Sequence, residues 1–138
     1  MRKRTRAREF ALQILYQVDV AHDTGDMALD SFWESHADEA IVQDLKTFTT
    51  ELVLGVIQNL EIIDEKISQY ATNWQLDRMA VVDRNILRMS CFELLFREDI
   101  PPKVSINEAV ELAKKYSDPE AGKFVNAILD KIKLEKDK

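Results

Sequence analysis

The chain has 138 residues, a formal net charge of −6, 46% hydrophobic residues and only three glycines and three prolines. A chain of this length forms one domain and can remove about 68% of its unfolded surface from water, which is enough for a core. The single cysteine, Cys91, excludes an internal disulfide and is typical of a reducing cytoplasm. No apolar stretch approaches the roughly 18 residues of a membrane span, and no apolar segment with a cleavage site follows the basic start. We therefore expect a cytoplasmic protein with neither a membrane anchor nor a secretory signal.

Charge is distributed unevenly along the chain. Residues 1–8 hold five basic side chains and no acidic one, whereas residues 21–65 hold eleven acidic side chains. A polyanion is attracted to one end of such a molecule and repelled by another. Arginine neutralises phosphates and stacks on unpaired bases, which favours single-stranded RNA as the ligand. The alternative is a terminal arm that serves only solubility.

The first helix is predicted over residues 5–21 from an apolar arc with helical spacing. The arc consists of Ala7, Phe10, Ala11, Ile14, Val18 and Ala21. The opposite, solvent-facing side consists of Arg2, Arg6, Glu9, Gln13 and Tyr16. Few helix-breaking residues follow, so further helices are expected over residues 28–33, from Asp38 to a break at Asn59, and over residues 60–70.

The central helix is predicted over residues 79–96, with Trp74 in the preceding linker and Asp77 as the N-cap. Its apolar residues line two sides, which is typical of a helix at the centre of a bundle.

Two more helix starts follow. Ser105 and Glu108 have the spacing of a capping box and predict a start near Ser105, while Asp118 and Pro119 predict a cap and first turn for the last helix. The final residues, 134–138, are expected to fray.

Four stretches of the chain carry a family pattern. They are REFALQILYQ after the arginine-rich start, VVDRNILRMSCFELLFREDIPPKV in the centre, and VSINEAVELAKKY followed by KFVNAILDKI near the end. Together they resemble the NusB family of bacterial transcription antitermination factors and cover essentially the whole chain. The resemblance implies an all-α, single-domain bundle of about seven helices in two packed halves, spanning residues 1–138.

The resemblance also implies a function. Family members bind the single-stranded boxA segment of nascent, mainly ribosomal RNA, transcripts together with NusE, a small ribosomal subunit protein, and join the RNA polymerase antitermination complex. Base stacking on an aromatic ring contributes about 1 to 3 kcal/mol, so exposed aromatics beside cations are candidate RNA contacts. The predicted RNA-binding residues are Arg2, Lys3, Arg4, Arg6, Arg8, Gln13, Tyr16, Lys114, Lys115, Glu120, Lys123, Phe124 and Asn126.

A separate acidic spot is predicted to receive the basic partner NusE. Asp83 lies between the two apolar sides of the central helix, and a local ion pair with Arg84 or Arg88 is the alternative. The predicted partner-binding residues are Tyr70, Leu76 and Asp83. A homodimer, which could cover the basic face, stays an open alternative for the free protein.

Catalysis finds little support in the sequence. His22 and His36 lack a second metal ligand at helical spacing, one cysteine cannot build a zinc site, and three isolated glycines form no phosphate-binding loop. We predict no catalytic residue, metal or cofactor. Two rival interpretations are an RNA-binding domain of the kind that accompanies some ribosomal RNA cytosine methyltransferases, and a self-associating helical module with no RNA role.

Overall fold

The computed structural model describes residues 2–71 and 75–136, and all regular structure in these ranges is helical. The helices are α1 Lys3–Ala21, α2 Gly25–Ser35, α3 Gln43–Gln58, α4 Leu60–Tyr70, a 3₁₀ helix Leu76–Arg78, α5 Val81–Phe96, α6 Pro102–Tyr116 and α7 Pro119–Lys136. This confirms the predicted all-α class with seven α-helices in the described part of the chain. None of these helices has the length and apolarity that crossing a membrane requires.

The chain divides into two compact units, Met1–Gln58 and Asn59–Lys138. The first contains α1 to α3, and the second contains α4 to α7 with the 3₁₀ helix. The prediction that residues 1–138 form a single domain stays a prediction, and the predicted linker position of Trp74 lies outside the described residues.

In the first unit, α1 packs against both α2 and α3. Its apolar side is buried around Phe10 and Ile14, as the helical spacing predicted, although Ala21 is exposed. Helix α2 begins at Gly25, earlier than predicted, because the Thr24 side chain caps it by accepting a bond from the backbone N–H of Met27.

The predicted start of α3 at Asp38 is wrong, since the helix begins at Gln43. Residues 36–41 instead form a turn in which the N–H of Glu39 donates to the carbonyl of His36 at 3.0 Å. The N–H of Ile41 donates in turn to the carbonyl of Glu39 at 3.0 Å. These local bonds satisfy backbone groups that a helix would otherwise use.

In the second unit, α5 packs against α4, α6 and α7, which confirms its predicted central position. The predicted cap at Asp77 is wrong. Asp77 lies inside the 3₁₀ helix, and α5 begins two residues after Met79, with Ala80 as an N-cap that makes no side-chain cap bond.

The predicted capping box at Ser105 is also wrong. Helix α6 begins at Pro102, because proline suits a first helical position that needs no backbone N–H. Ser105 is therefore one turn inside the helix and only 2% exposed, with its hydroxyl oxygen 2.8 Å from that of Ser90. The serine links α6 to α5 instead of capping α6.

Helix α7 begins as predicted, with the Asp118 carboxylate accepting a bond from the N–H of Ala121 at 2.7 Å. The expected fraying from residue 134 is wrong for residues 134–136, since the helix continues to Lys136. Glu135 accepts a bond from the Lys66 ammonium at 2.5 Å and another from the Tyr70 hydroxyl. These bonds to α4 hold the end of α7 in place.

Candidate RNA and protein interface

The basic start of the chain is the first turns of α1, and Arg2 is its N-cap. The side chains of Arg2, Lys3, Arg4 and Arg6 are exposed. Arg8, which is also a predicted RNA contact, is only 3% exposed, and its role in RNA binding stays a prediction. The burial follows from helix geometry, because Arg8 lies next to the buried residues of α1 and not on its outer face.

Aromatic rings support three of these arginines. The guanidinium of Arg4 lies 4.4 Å from the ring centre of Phe48, and that of Arg8 lies 5.3 Å from the same ring. The guanidinium of Arg6 lies 4.8 Å from the ring centre of Phe10. Stacking on a ring restricts the orientation of a guanidinium. The exposed arginines are thus partly ordered before any anion binds.

Gln13 and Tyr16 extend the exposed face of α1 beyond Arg6. Gln13 is exposed and the Tyr16 side chain is 44% exposed, in accord with the helical spacing of seven and three residues. Glu9 was expected on the same solvent-facing side, but it is only 7% exposed, so that expectation is wrong. The face therefore combines a cation, an amide and an aromatic ring with no exposed carboxylate of α1 between them.

In the second unit, predicted RNA contacts meet where α6 ends and α7 begins. Gly122 permits this meeting, because a Cβ atom there would lie 3.3 Å from Cγ of Lys114. Lys123 pairs with Glu120 at 3.2 Å, and both side chains are more than three-quarters exposed. Phe124 is half-buried at the same end of α7. Two further predicted contacts, Lys115 and Asn126, are exposed on α6 and α7.

Asp83 lies in a cavity of about 250 Å³ at this end of the second unit. The lining residues are Arg78, Met79, Ala80, Asp83, Asp118, Glu120, Ala121 and Phe124. The Oδ1 atom of Asp83 is buried and has no hydrogen-bond partner. Burial raises the pKa of the Asp83 carboxyl, a hydrogen bond with Ser117 opposes the rise, and the charge of Asp118 adds to it.

The alternative of a local ion pair finds no support in this geometry. Arg88 binds Asp64 with two bonds of 2.8 and 2.9 Å, and Arg84 donates to the carbonyl of Leu76 at 2.9 Å. A paired guanidinium would lower the pKa of Asp83, whereas the pKa is raised. The cavity therefore presents an acidic group that can accept a hydrogen bond from a cationic side chain.

These surfaces occur in a chain that matches known proteins along almost its entire length. The sequence pattern of the NusB family matches residues 5–133. The chain belongs to the NusB family. It is similar to a transcription antitermination protein NusB of Anaeromyxobacter dehalogenans (strain 2CP-1 / ATCC BAA-258), with 53% identity over 130 residues that cover 94% of this chain and 89% of that one.

Two solved structures of NusB proteins share the fold. The structure of T. maritima NusB has a TM-score of 0.87 and 39% identity, and the match covers 96% of this chain and 91% of that chain. A crystal structure of the antitermination factors NusB and NusE in complex with dsRNA has a TM-score of 0.87 and 31% identity, with 98% of both chains covered.

The NusB-family resemblance also pointed to Tyr70 and Leu76 as partner contacts. Both are half-buried in the second unit. The hydrogen bond to Glu135 raises the pKa of the Tyr70 hydroxyl, and desolvation acts in the same direction. The carbonyl of Leu76 accepts the bond from Arg84, which connects the 3₁₀ helix to α5 one residue from Asp83. Their roles in binding stay predictions.

Reasoning from the sequence missed the residues that act on the predicted sites across the fold. Ser117 and Asp118 set the environment of Asp83, and Glu39 pairs with Arg6. No periodicity signals such pairs, because they join residues that are 33 or more positions apart.

Groups with catalytic potential are few in the described part of this NusB-family chain. Burial raises the pKa of the Cys91 thiol to about 12, which keeps it protonated and unreactive. In residues 2–71 and 75–136, no three histidine, cysteine or acidic side chains are grouped closely enough to hold a metal ion.

Proposed function

We propose that this chain is a transcription antitermination factor that binds boxA RNA of nascent transcripts, mainly ribosomal RNA, together with NusE. The complex joins RNA polymerase in the cytoplasm and makes it resistant to termination. The mechanism is recruitment, with no catalytic step and no cofactor.

One observation carries the proposal. The similarity to a NusB solved with NusE and dsRNA extends over 98% of both chains, so nearly all of that protein's fold has a counterpart here. The match covers 89% of the Anaeromyxobacter dehalogenans relative, and the remainder of that relative is too short for a methyltransferase domain. The interpretation as a companion of a catalytic domain therefore gains no support.

The exposed cations of α1 support the RNA part of the proposal. Phosphate neutralisation by exposed lysine and arginine supplies most of the non-specific affinity for nucleic acid, and stacking on exposed rings adds to it. Arg6 and Tyr16 provide one group of each kind on the same helix.

The cavity at Asp83 supports the NusE-binding part of the proposal. An unpartnered, buried carboxylate oxygen costs stability in the free protein, and a lysine or arginine of NusE can remove this cost by donating to it. Three acidic residues, Asp83, Asp118 and Glu120, line the cavity together with one cation, Arg78, so the lining favours a cationic side chain of the partner.

Gel electrophoresis tests the proposal against its rivals. The chain is mixed with labelled boxA RNA or a scrambled control, each with and without NusE. We expect a slower complex with boxA RNA that shifts again on addition of NusE. If neither boxA RNA nor NusE gives a shifted complex, and the chain self-associates in sedimentation, the self-associating module is supported instead.

Glu120→Gln is expected to tighten binding of boxA RNA several-fold at low salt. The exposed Glu120 carboxylate neutralises Lys123 and repels phosphates that cross this end of α7. At about 6 to 8 Å and an effective dielectric near 40 to 80, the repulsion amounts to roughly 0.5 to 1.4 kcal/mol. Glu120 also lies in the first turn of α7, where a negative charge contributes about 0.3 to 1 kcal/mol to the helix. The variant should therefore unfold at a slightly lower temperature.

Fluorescence anisotropy at two salt concentrations measures this effect, since salt should reduce the gain. The matched control is Glu65→Gln, which removes the same charge from an exposed position on α4. Equal gains in the two variants, or no gain at low salt, would mean that RNA does not pass the start of α7.

A further inference from the structure

Arg6 is occupied by a carboxylate in the free protein. Its Nη2 atom lies 3.3 Å from Oε2 of Glu39, and both side chains are 46% exposed. Glu39 belongs to the turn between α2 and α3, so the pair joins two segments of the first unit. An incoming phosphate competes with Glu39 for this guanidinium, because two anions on one arginine repel each other and both seek its N–H groups.

Both members of this pair are held in position. Two backbone bonds of 3.0 Å fix Glu39 in its turn, and the Nε2 atom of His36 lies 3.9 Å from its other carboxylate oxygen. The guanidinium of Arg6 rests on Phe10, which is only 5% exposed and packs edge-on against Phe32 at 5.0 Å between ring centres. Because both partners are already ordered, the pair loses little side-chain entropy when it forms.

The pair stands at the edge of an open cleft of about 440 Å³. Lys3 and Arg6 are the cations of its lining, Glu39 is its acid, and Ile41 and Val42 contribute apolar surface. A strand of RNA that brings a phosphate to Lys3 and Arg6 therefore meets the carboxylate of Glu39 in the same cleft.

We propose that Glu39 acts as an electrostatic gate on Arg6. Its carboxylate pairs with the guanidinium in the free protein, and an RNA phosphate displaces this carboxylate when it binds Arg6. The inference rests on the proposed RNA binding and names a control on that same surface. A polyanion that makes few other contacts with the protein binds poorly at Arg6, whereas an RNA that also contacts other residues displaces the carboxylate. Glu39 thus lowers affinity and raises selectivity.

The test is a mutant cycle with fluorescently labelled boxA RNA, followed by anisotropy at low salt. The variants are Glu39→Gln, Arg6→Gln, the double variant, and Glu34→Gln as a control. Arg6→Gln keeps an aliphatic stem over Phe10, and Glu34→Gln removes an equal charge from an exposed position on α2. Circular dichroism and thermal unfolding check that each variant is folded.

Glu39→Gln is expected to tighten RNA binding by about two- to fivefold, the range that a surface ion pair provides. The gain should vanish in the Arg6→Gln background and be absent in Glu34→Gln. If Arg6→Gln weakens binding but Glu39→Gln does not tighten it, the gate is refuted while RNA binding stands. An equal gain with and without Arg6 also refutes the gate, since the effect is then one of general charge. Wild-type affinity in Arg6→Gln removes Arg6 from the proposed RNA surface and refutes the gate with it.

Discussion

Asp83→Lys is expected to weaken NusE binding by about 2 to 5 kcal/mol, which is at least thirtyfold in the dissociation constant. The effect is large because Asp83→Lys removes the unpartnered carboxylate oxygen from the cavity and puts a cation in its place. A basic side chain of NusE would lose its acceptor and meet a like charge. Isothermal titration calorimetry with purified NusE measures the change.

Asp83→Asn tests the charge alone, because it keeps the shape of the side chain and removes only its negative charge. The raised pKa of Asp83 means that the folded protein holds this proton to higher pH than the unfolded chain does. Ionisation above the raised pKa therefore costs stability at neutral pH, and the cost disappears as pH falls below the ordinary pKa of aspartate. We expect Asp83→Asn to raise the unfolding temperature at neutral pH, to leave it unchanged in acid, and to weaken NusE binding.

Asp77→Lys is the matched control, since Asp77 is exposed in the 3₁₀ helix and undergoes the same change of charge. It should bind NusE far better than Asp83→Lys does. A large loss of stability in Asp83→Asn, with NusE binding intact, would show that the carboxylate serves the fold and not the partner.

Replacing Arg2, Lys3 and Arg6 by alanine is expected to flatten the salt dependence of RNA binding. Each lost phosphate contact to a single strand removes about 0.7 from the slope of log affinity against log salt, so three contacts remove about 2. These three are chosen because their side chains are exposed, whereas Arg8 is only 3% exposed and shares the ring of Phe48 with Arg4. Changing Arg8 would mix lost packing with lost charge.

The control for net charge replaces Lys103, Lys131 and Lys133 in the second unit by alanine. It lowers the positive charge by the same amount and should leave the slope near that of the wild type. A wild-type slope in the Arg2, Lys3 and Arg6 variant would mean that the start of α1 serves solubility only.

Periodicity located the helices well but their ends poorly. The apolar spacing of α5 predicted both its existence and its central position, because a helix that is apolar on two sides must be covered on both. Capping rules worked for Asp118, whose carboxylate accepts the backbone N–H of Ala121 only three residues further along the chain. They did not work for Ser105, whose hydroxyl contacts Ser90 of another helix. That contact depends on tertiary packing, and no local pattern contains it.

For the candidate sites, too, the sequence predicted some features and missed others. Exposure of Gln13 and Tyr16 followed from their place on α1, yet Arg8 and Glu9 are buried despite their charge. Local sequence does not specify which rings or helices cover a side chain. The pairing of Arg6 with Glu39 and the unpartnered oxygen of Asp83 likewise arise only when distant segments meet.

The most direct test of the account is the affinity for boxA RNA with and without saturating NusE, measured by anisotropy. We predict that NusE tightens binding of boxA RNA and not of a scrambled RNA, because two ligands that bind one protein cooperatively each raise the affinity for the other. Asp83→Lys should lose this gain while it retains the RNA affinity of the chain alone. Equal affinity for boxA RNA with and without NusE, or equal binding of the scrambled RNA, would contradict the account.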